Sequence, residues 1–204
     1  MAYTVEEEQE LNELKNWWKE NYKSIIVIVV LTFAGVFGWR YWQDHQVSKM
    51  QRISAQYDQL IYGAQQDAAA QNAKLEQFVK DNDKTSYAVF ALLDAAKSAV
   101  NKQDFAQAEN LLKQAVSASA DDILTSVSLL RLAAVQLQQQ QLDAALDSLQ
   151  QVKGESWESR KQLMRGDILL AKGDKAGAKT SFENALHNAS PLEAQLIQVR
   201  LNNL

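Results

Sequence analysis

Lys172-Gly-Asp-Lys-Ala-Gly-Ala-Lys-Thr-Ser-Phe182 is the stretch on which the fold turns. Its pattern occurs three times. Lys102-Gln-Asp-Phe-Ala-Gln-Ala108, Gln139-Gln-Gln-Leu-Asp-Ala-Ala145 and Lys172-Gly-Asp-Lys-Ala-Gly-Ala178 each close on an alanine, and the steps between those alanines are 37 and 33 residues. Four residues after each alanine stand Leu112, Leu149 and Phe182; seven after stand Ala115, Val152 and Ala185. Twelve before stand Ala96, Ala133 and Gly166, all small. Self-similarity at such a period is the signature of stacked helix pairs. Two antiparallel helices cross closely only where small side chains let their backbones approach. The small residue twelve back belongs on the first helix of each pair, and the closing alanine on the second. The short polar segment between them makes the turn, with Asp104 and Asp174 as N-caps. Gly154 is placed as the C′ residue ending a helix.

Composition agrees with an all-helical chain. The 204 residues include one proline and seven glycines, and both residue types disfavour helix interiors. There is no cysteine, which excludes disulfides, thiolate catalysis and cysteine-ligated zinc. The net charge of −4 and the lack of a basic face with interleaved aromatics give no reason for a nucleic-acid partner. No catalytic residue, cofactor site or metal site is assigned. His45 and His187 have no ligand-spaced partners, there is no glycine-rich phosphate loop, and Asp121-Asp122 reads as a cap or solvated charge. The chain is read as a non-enzyme.

Upstream lies a different kind of sequence. Ser24 to Trp42 (SIIVIVVLTFAGVFGWRYW) is nineteen residues long with Arg40 its only charge. As a helix it spans about 28 Å, close to the hydrocarbon thickness of about 30 Å. Ten Ile, Val, Leu and Phe residues in 25–37 favour insertion by roughly 3–6 kcal/mol. Trp17, Trp18 and Tyr22 precede the run and Trp39, Tyr41 and Trp42 end it, as an interfacial aromatic belt would. A cleaved signal requires small residues after the run, where Trp-Arg-Tyr-Trp stands instead. A core helix requires a polar face, and the run has none. The reading is an uncleaved membrane anchor. Ala34 and Gly38 form a small-xxx-small pair open to two readings, a helix contact or ordinary membrane-helix composition. Lys15, Lys19 and Lys23 before the span balance Arg40, Lys49 and Arg52 after it, so charge leaves the orientation open.

Residues 1–23 form a short acidic tail containing Glu6-Glu7-Glu8. Leu11, Leu14 and Trp18 mark an amphipathic helix leading into the span. Met50, Ile53, Tyr57, Leu60 and Ile61 continue at helical spacing beyond it; Leu75, Phe78 and Val79 mark another helix, and Asp81-Asn82-Asp83 a loop. At the far end Ser190-Pro-Leu-Glu193 reads as a capping box with proline at N1. Leu192, Leu196 and Val199 are then expected on a last helix with a polar back, as the end of a solenoid requires.

Residues 86–190 resemble the tetratricopeptide repeat, most closely at Lys172-Gly-Asp…Ala178…Phe182…Ala185; the first two units lack the turn glycine. The fold class is all-α: one transmembrane helix (24–42), then a tetratricopeptide-like solenoid within 43–204, closed by a C-terminal capping helix. The first helix of each pair would line the concave face. The side chains so placed are Phe90, Leu93 and Lys97, then Val127, Leu130 and Leu137, then Leu163, Asp167 and Leu170. Two readings of them stand side by side. They line a groove for an apolar segment, or the last helix or a neighbouring protomer covers them as core.

Taken whole, the chain resembles the YfgM-type ancillary subunits of the SecYEG translocon. The residues that carry this are Gly38-Trp-Arg-Tyr-Trp42 followed by His45-Gln-Val47, Leu130-Arg-Leu-Ala133, Val152-Lys-Gly-Glu155, Leu170-Ala-Lys-Gly-Asp174 and Leu201-Asn-Asn-Leu204. The resemblance implies a single-pass type II protein of the inner membrane, with its N-terminus cytoplasmic and its repeat domain periplasmic. It implies association with SecYEG and with the periplasmic folding factor PpiD, and assistance to newly exported chains. A general holdase binding unfolded exported proteins in an apolar groove is the alternative.

Overall fold

The computed structural model describes residues 5–63 and 68–204, and among them all regular structure is helical. Helix α1 runs Val5–Tyr62, followed by α2 (Ala68–Asp81), α3 (Ser86–Asn101), α4 (Phe105–Ala118), α5 (Asp122–Gln138), α6 (Leu142–Gln150), a 3-10 turn (Glu155–Trp157), α7 (Glu158–Ala171), α8 (Lys175–Leu186) and α9 (Pro191–Asn202). The chain divides into two compact units, Met1–Arg52 and Ile53–Leu204.

The first unit is carried by α1. Its apolar window has no part buried inside the protein, and it is the one described helix long and apolar enough to cross a membrane. With no polar face to turn outward, its Ile, Val and Phe side chains need an apolar solvent. The hydroxyl of Thr32 donates to the carbonyl of Ile28 at 2.8 Å, so its polar group is satisfied within the helix.

The second unit starts where the apolar spacing of the α1 tail meets α2. Ile53 is buried, and Tyr57 and Leu60 pack against the same cluster as Leu75 and Phe78 of α2 and Val89 and Leu92 of α3. Three helix pairs follow, α3/α4, α5/α6 and α7/α8, each packed on its successor. The first helices also meet one another, α3 against α5 and α5 against α7. Ala96, Ala108, Ala133, Ala145, Gly166 and Ala178 are all buried at the crossings. Leu112, Leu149 and Phe182 fill the space beside them and are buried too. Gly166 has a steric reason: a Cβ there would overlap ring carbons of Phe182.

The three turns share one backbone solution. In each, the residue after the C-cap takes a positive φ: Gln103 at 60°, Gln140 at 60° and Gly173 at 83°. Their N–H groups donate to Val100, Leu137 and Leu170, and the next residues' N–H groups donate to Ala99, Gln136 and Leu169. This 5→2 and 6→1 pairing is the Schellman motif. Asp104 then caps α4, accepting from the Gln107 N–H at 3.0 Å, and Asp174 caps α8, accepting from the Gly177 N–H at 2.9 Å. Gln141 occupies the equivalent position at α6 and makes no cap bond.

Two expectations are corrected. Helix α6 ends at Gln150 with its C-cap at Gln151. Gly154, with φ 100°, instead precedes the 3-10 turn. The reason is Val152, which leaves the helix and is buried in the core. Helix α9 closes the stack with its Ser190–Glu193 capping box formed, but through the other face. Ile197 is buried against Phe182 and Ala185, with Leu201 and Leu204 beside it. Glu193 receives Arg160 at 3.5 Å and Arg200 pairs with Asp167 at 2.9 Å. These contacts fix the face through positions 193, 197, 200 and 204, leaving Leu192, Leu196 and Val199 exposed.

Candidate partner-binding surface

The nine residues assigned to a concave face separate into three groups. Phe90 and Lys97 of α3 are exposed. Leu93 and Leu130 are core residues, 5% and 6% exposed, as the second of the two readings of this face has them. The others are half-buried. Val127 packs against the first apolar cluster and Leu137 against the second. Leu163 and Leu170 share a cluster with Ile197 of α9, and the Asp167 carboxylate is taken by Arg200. The nine therefore do not make one continuous apolar groove. At the α7 end, the capping helix occupies the ground a ligand would need.

The structure opens a cleft elsewhere, at the start of the second unit. About 510 Å³ lies between the end of α1, α2, α3 and the beginning of α4. Its walls include Leu60, Asn72, Asp94, Ser98, Lys102 and Asp104. Small residues make the room: Ala91, Ala95 and Ala99 of α3 face it. The Tyr57 hydroxyl donates to Asp94, and its ring stands 6.5 Å from Phe78 and 5.7 Å from Tyr87. Tyr87 meets Phe90 edge-on at 6.2 Å, so this aromatic row runs from α1 to the exposed Phe90. Burial, then the bond to Asp94, pushes the Tyr57 hydroxyl well above the usual tyrosine range. It stays a neutral donor. The sequence marks this cleft only faintly, as the polar spacing Asp94, Ser98, Lys102 between alanines on one side of α3.

A polar knot joins α4, α5 and α6. The Glu109 carboxylate accepts from Lys113 at 2.8 Å, Gln139 at 2.9 Å, Gln141 at 3.2 Å and Gln136 at 3.4 Å. The Gln136 carbonyl oxygen in turn accepts from buried Ser148 at 2.7 Å. The hydrogen bond from Lys113, aided by Gln139 and Gln136, holds Glu109 below the usual carboxylate range against the cost of burial. The knot ties the three helices together through one shared carboxylate and its amide partners.

Small crossings, Schellman corners and a capped end define the class: a tetratricopeptide-like helical-repeat protein preceded by one span-length apolar helix. Residues 15–204 match the family model described as a tetratricopeptide repeat-like domain. Curated relatives named ancillary SecYEG translocon subunit match end to end. One from Aggregatibacter actinomycetemcomitans is 60% identical over 204 residues, covering all of both chains. One from Haemophilus influenzae is 58% identical over the same coverage, and one from Escherichia coli is 34% identical over 97% of this chain and 96% of its own. The chain belongs to this family of ancillary SecYEG translocon subunits. No solved structure matches it.

Proposed function

We propose that this protein is a membrane-anchored, non-catalytic binding subunit of the SecYEG translocon. In this reading residues 1–23 are cytoplasmic, 24–42 cross the inner membrane, and the domain within 43–204 is periplasmic. The domain links the translocon to a PpiD-type folding factor and so assists newly exported proteins. The observation that carries the reading is full-length similarity to translocon subunits, at 60% and 58% identity, in a chain that joins a span-length helix to a repeat domain. An anchored domain is held at high effective concentration near the exit of the channel, so modest contacts suffice. The contacts we assign are the exposed Phe90 and Lys97 of α3, with the adjoining cleft beside Asp94 and Lys102. The general-holdase alternative relies on an open apolar groove, and the burial of Leu93 and Leu130 leaves it less to work with.

The test is affinity purification of the full chain from membranes in mild detergent. SecYEG and the PpiD-type factor are expected to co-purify, and Phe90→Ser with Lys97→Glu is expected to lose the folding factor while SecYEG stays. Recovery of neither partner by the unaltered chain overturns the proposal. Protease added from the periplasmic side is expected to digest residues 43–204, and protection of that domain overturns the topology.

A further inference from the structure

The N-terminal part of α1 carries an apolar stripe in water. Helix α1 is continuous from Val5, so residues 5–23 extend the helix of the span without a break. Leu14 lies ten residues before Ser24 and Leu11 thirteen, which places them about 15 and 20 Å beyond the start of the apolar run. The headgroup layer on one side of a bilayer is only about 5–8 Å deep. Yet Leu11 and Leu14 are exposed, at 40% and 61%, and Trp18, about 9 Å before Ser24 at the interface, continues their stripe toward the span. Such a stripe on a water-immersed helix calls for a cover.

Its spacing says what kind. Leu11, Trp18 and Ile25 fall at every seventh residue, and Leu14, Asn21 and Ile28 at the fourth place of each heptad. These are the a and d positions of a coiled coil. The polar member, Asn21, uses one amide N–H within its own helix, donating to the Trp17 carbonyl at 2.8 Å. Farther along the register come Thr32 and Gly35, and a glycine has no side chain to hold a neighbouring helix away. That is room for a second backbone inside the span.

The flanking positions select the partner. In a parallel pair, each g residue faces the e residue five places on in the other helix. Here those are Glu10 against Lys15, opposite in charge, and Trp17 against Tyr22, two aromatics. The pairing is self-complementary, so it forms twice in a symmetric pair. Membrane insertion supplies the parallel orientation. We propose that α1 pairs in parallel with α1 of a second copy of this chain through Leu11, Leu14, Trp18, Ile25 and Ile28, with Glu10–Lys15 ion pairs setting the register. This does not rest on the association with the translocon.

The chain has no cysteine, so single cysteines report the contact directly. Full-length Leu14→Cys in native membranes, mildly oxidised, is expected to give a disulfide-linked dimer. Leu11→Cys should do the same, while Asn16→Cys, on the far side of the helix, should give several-fold less. In the Leu14→Cys background, Glu10→Lys is expected to cut the dimer several-fold and Glu10→Lys with Lys15→Glu to restore it. Equal cross-linking at positions 14 and 16 overturns the proposal. So does its absence at both 11 and 14, a link from 14 to another protein only, or a charge swap that restores nothing.

Discussion

The second and third helix pairs solve one packing problem with different residues. At the α7/α8 crossing, Gly166 yields all its side-chain volume to the Phe182 ring. At α5/α6 the same places hold Ala133 and Leu149, and at α3/α4 Ala96 and Leu112, all buried. A larger filler goes with a smaller floor. The repeat therefore preserves summed volume at the crossing rather than residue identity, as close packing requires. The turns show the same tolerance. Gly173 adopts its positive φ freely, whereas Gln103 and Gln140 reach φ 60° against the preference of an L residue,.

The sharpest way to break the comparison is Phe182→Ala. It should cost about 3–5 kcal/mol, because a ring-sized cavity opens over a glycine that cannot fill it. Thermal or urea unfolding of the detergent-solubilised chain measures this. Gly166→Ala should cost about 1–3 kcal/mol by overpacking. Combined with Phe182→Leu it recreates the α5/α6 crossing, and much of the loss should return as a coupling of about 0.5–3 kcal/mol. Strict additivity of the two would show that the crossings are not interchangeable.

At the turns the effects shrink. Gly173→Gln should destabilise by about 1 kcal/mol, and Gln140→Gly should stabilise by a few tenths up to about 1 kcal/mol, since relief of φ strain outweighs the added unfolded-state entropy. Equal responses at the two corners would contradict the shared Schellman geometry.

The smallest effect is expected from pH. Glu109 sits below its usual value in the folded state, so the folded chain binds fewer protons than the unfolded one in acid. Its stabilisation is present above about pH 4.3 and is lost as pH falls through the lowered folded value. Glu109→Gln should flatten that part of the stability–pH curve.

Much of this was legible in the sequence. Period, small residues and fillers located the three pairs, and Asp104 and Asp174 announced their caps. The anchor stretch declared itself by lacking a polar face. What the repeat pattern could not convey was which face of a helix wins. On α9 the stripe Leu192, Leu196, Val199 looked like the buried one. Two ion pairs to α7 and one buried Ile197 turned it outward. At Leu93 and Leu130 the sequence left groove and core open for a related reason. Helical spacing places a residue on a side, but the depth at which a neighbouring helix sits is a tertiary outcome. The cleft beside Asp94 leaves little trace in the sequence because it is built of alanines, whose contribution is the space they leave.

The manner in which α9 is held has a consequence for ionic strength. The α4–α5–α6 junction rests largely on amide groups around one well-shielded carboxylate, and dissolved ions have little purchase on it. Helix α9 is held on its polar side by Arg160–Glu193 and Arg200–Asp167, whose arginines are more than half exposed. Such pairs weaken as the Debye length contracts from about 10 Å at 0.1 M salt to about 3 Å at 1 M. Concentrated salt should therefore loosen the stack from its last helix, with amide exchange in 191–202 rising while the α4–α6 junction keeps its protection.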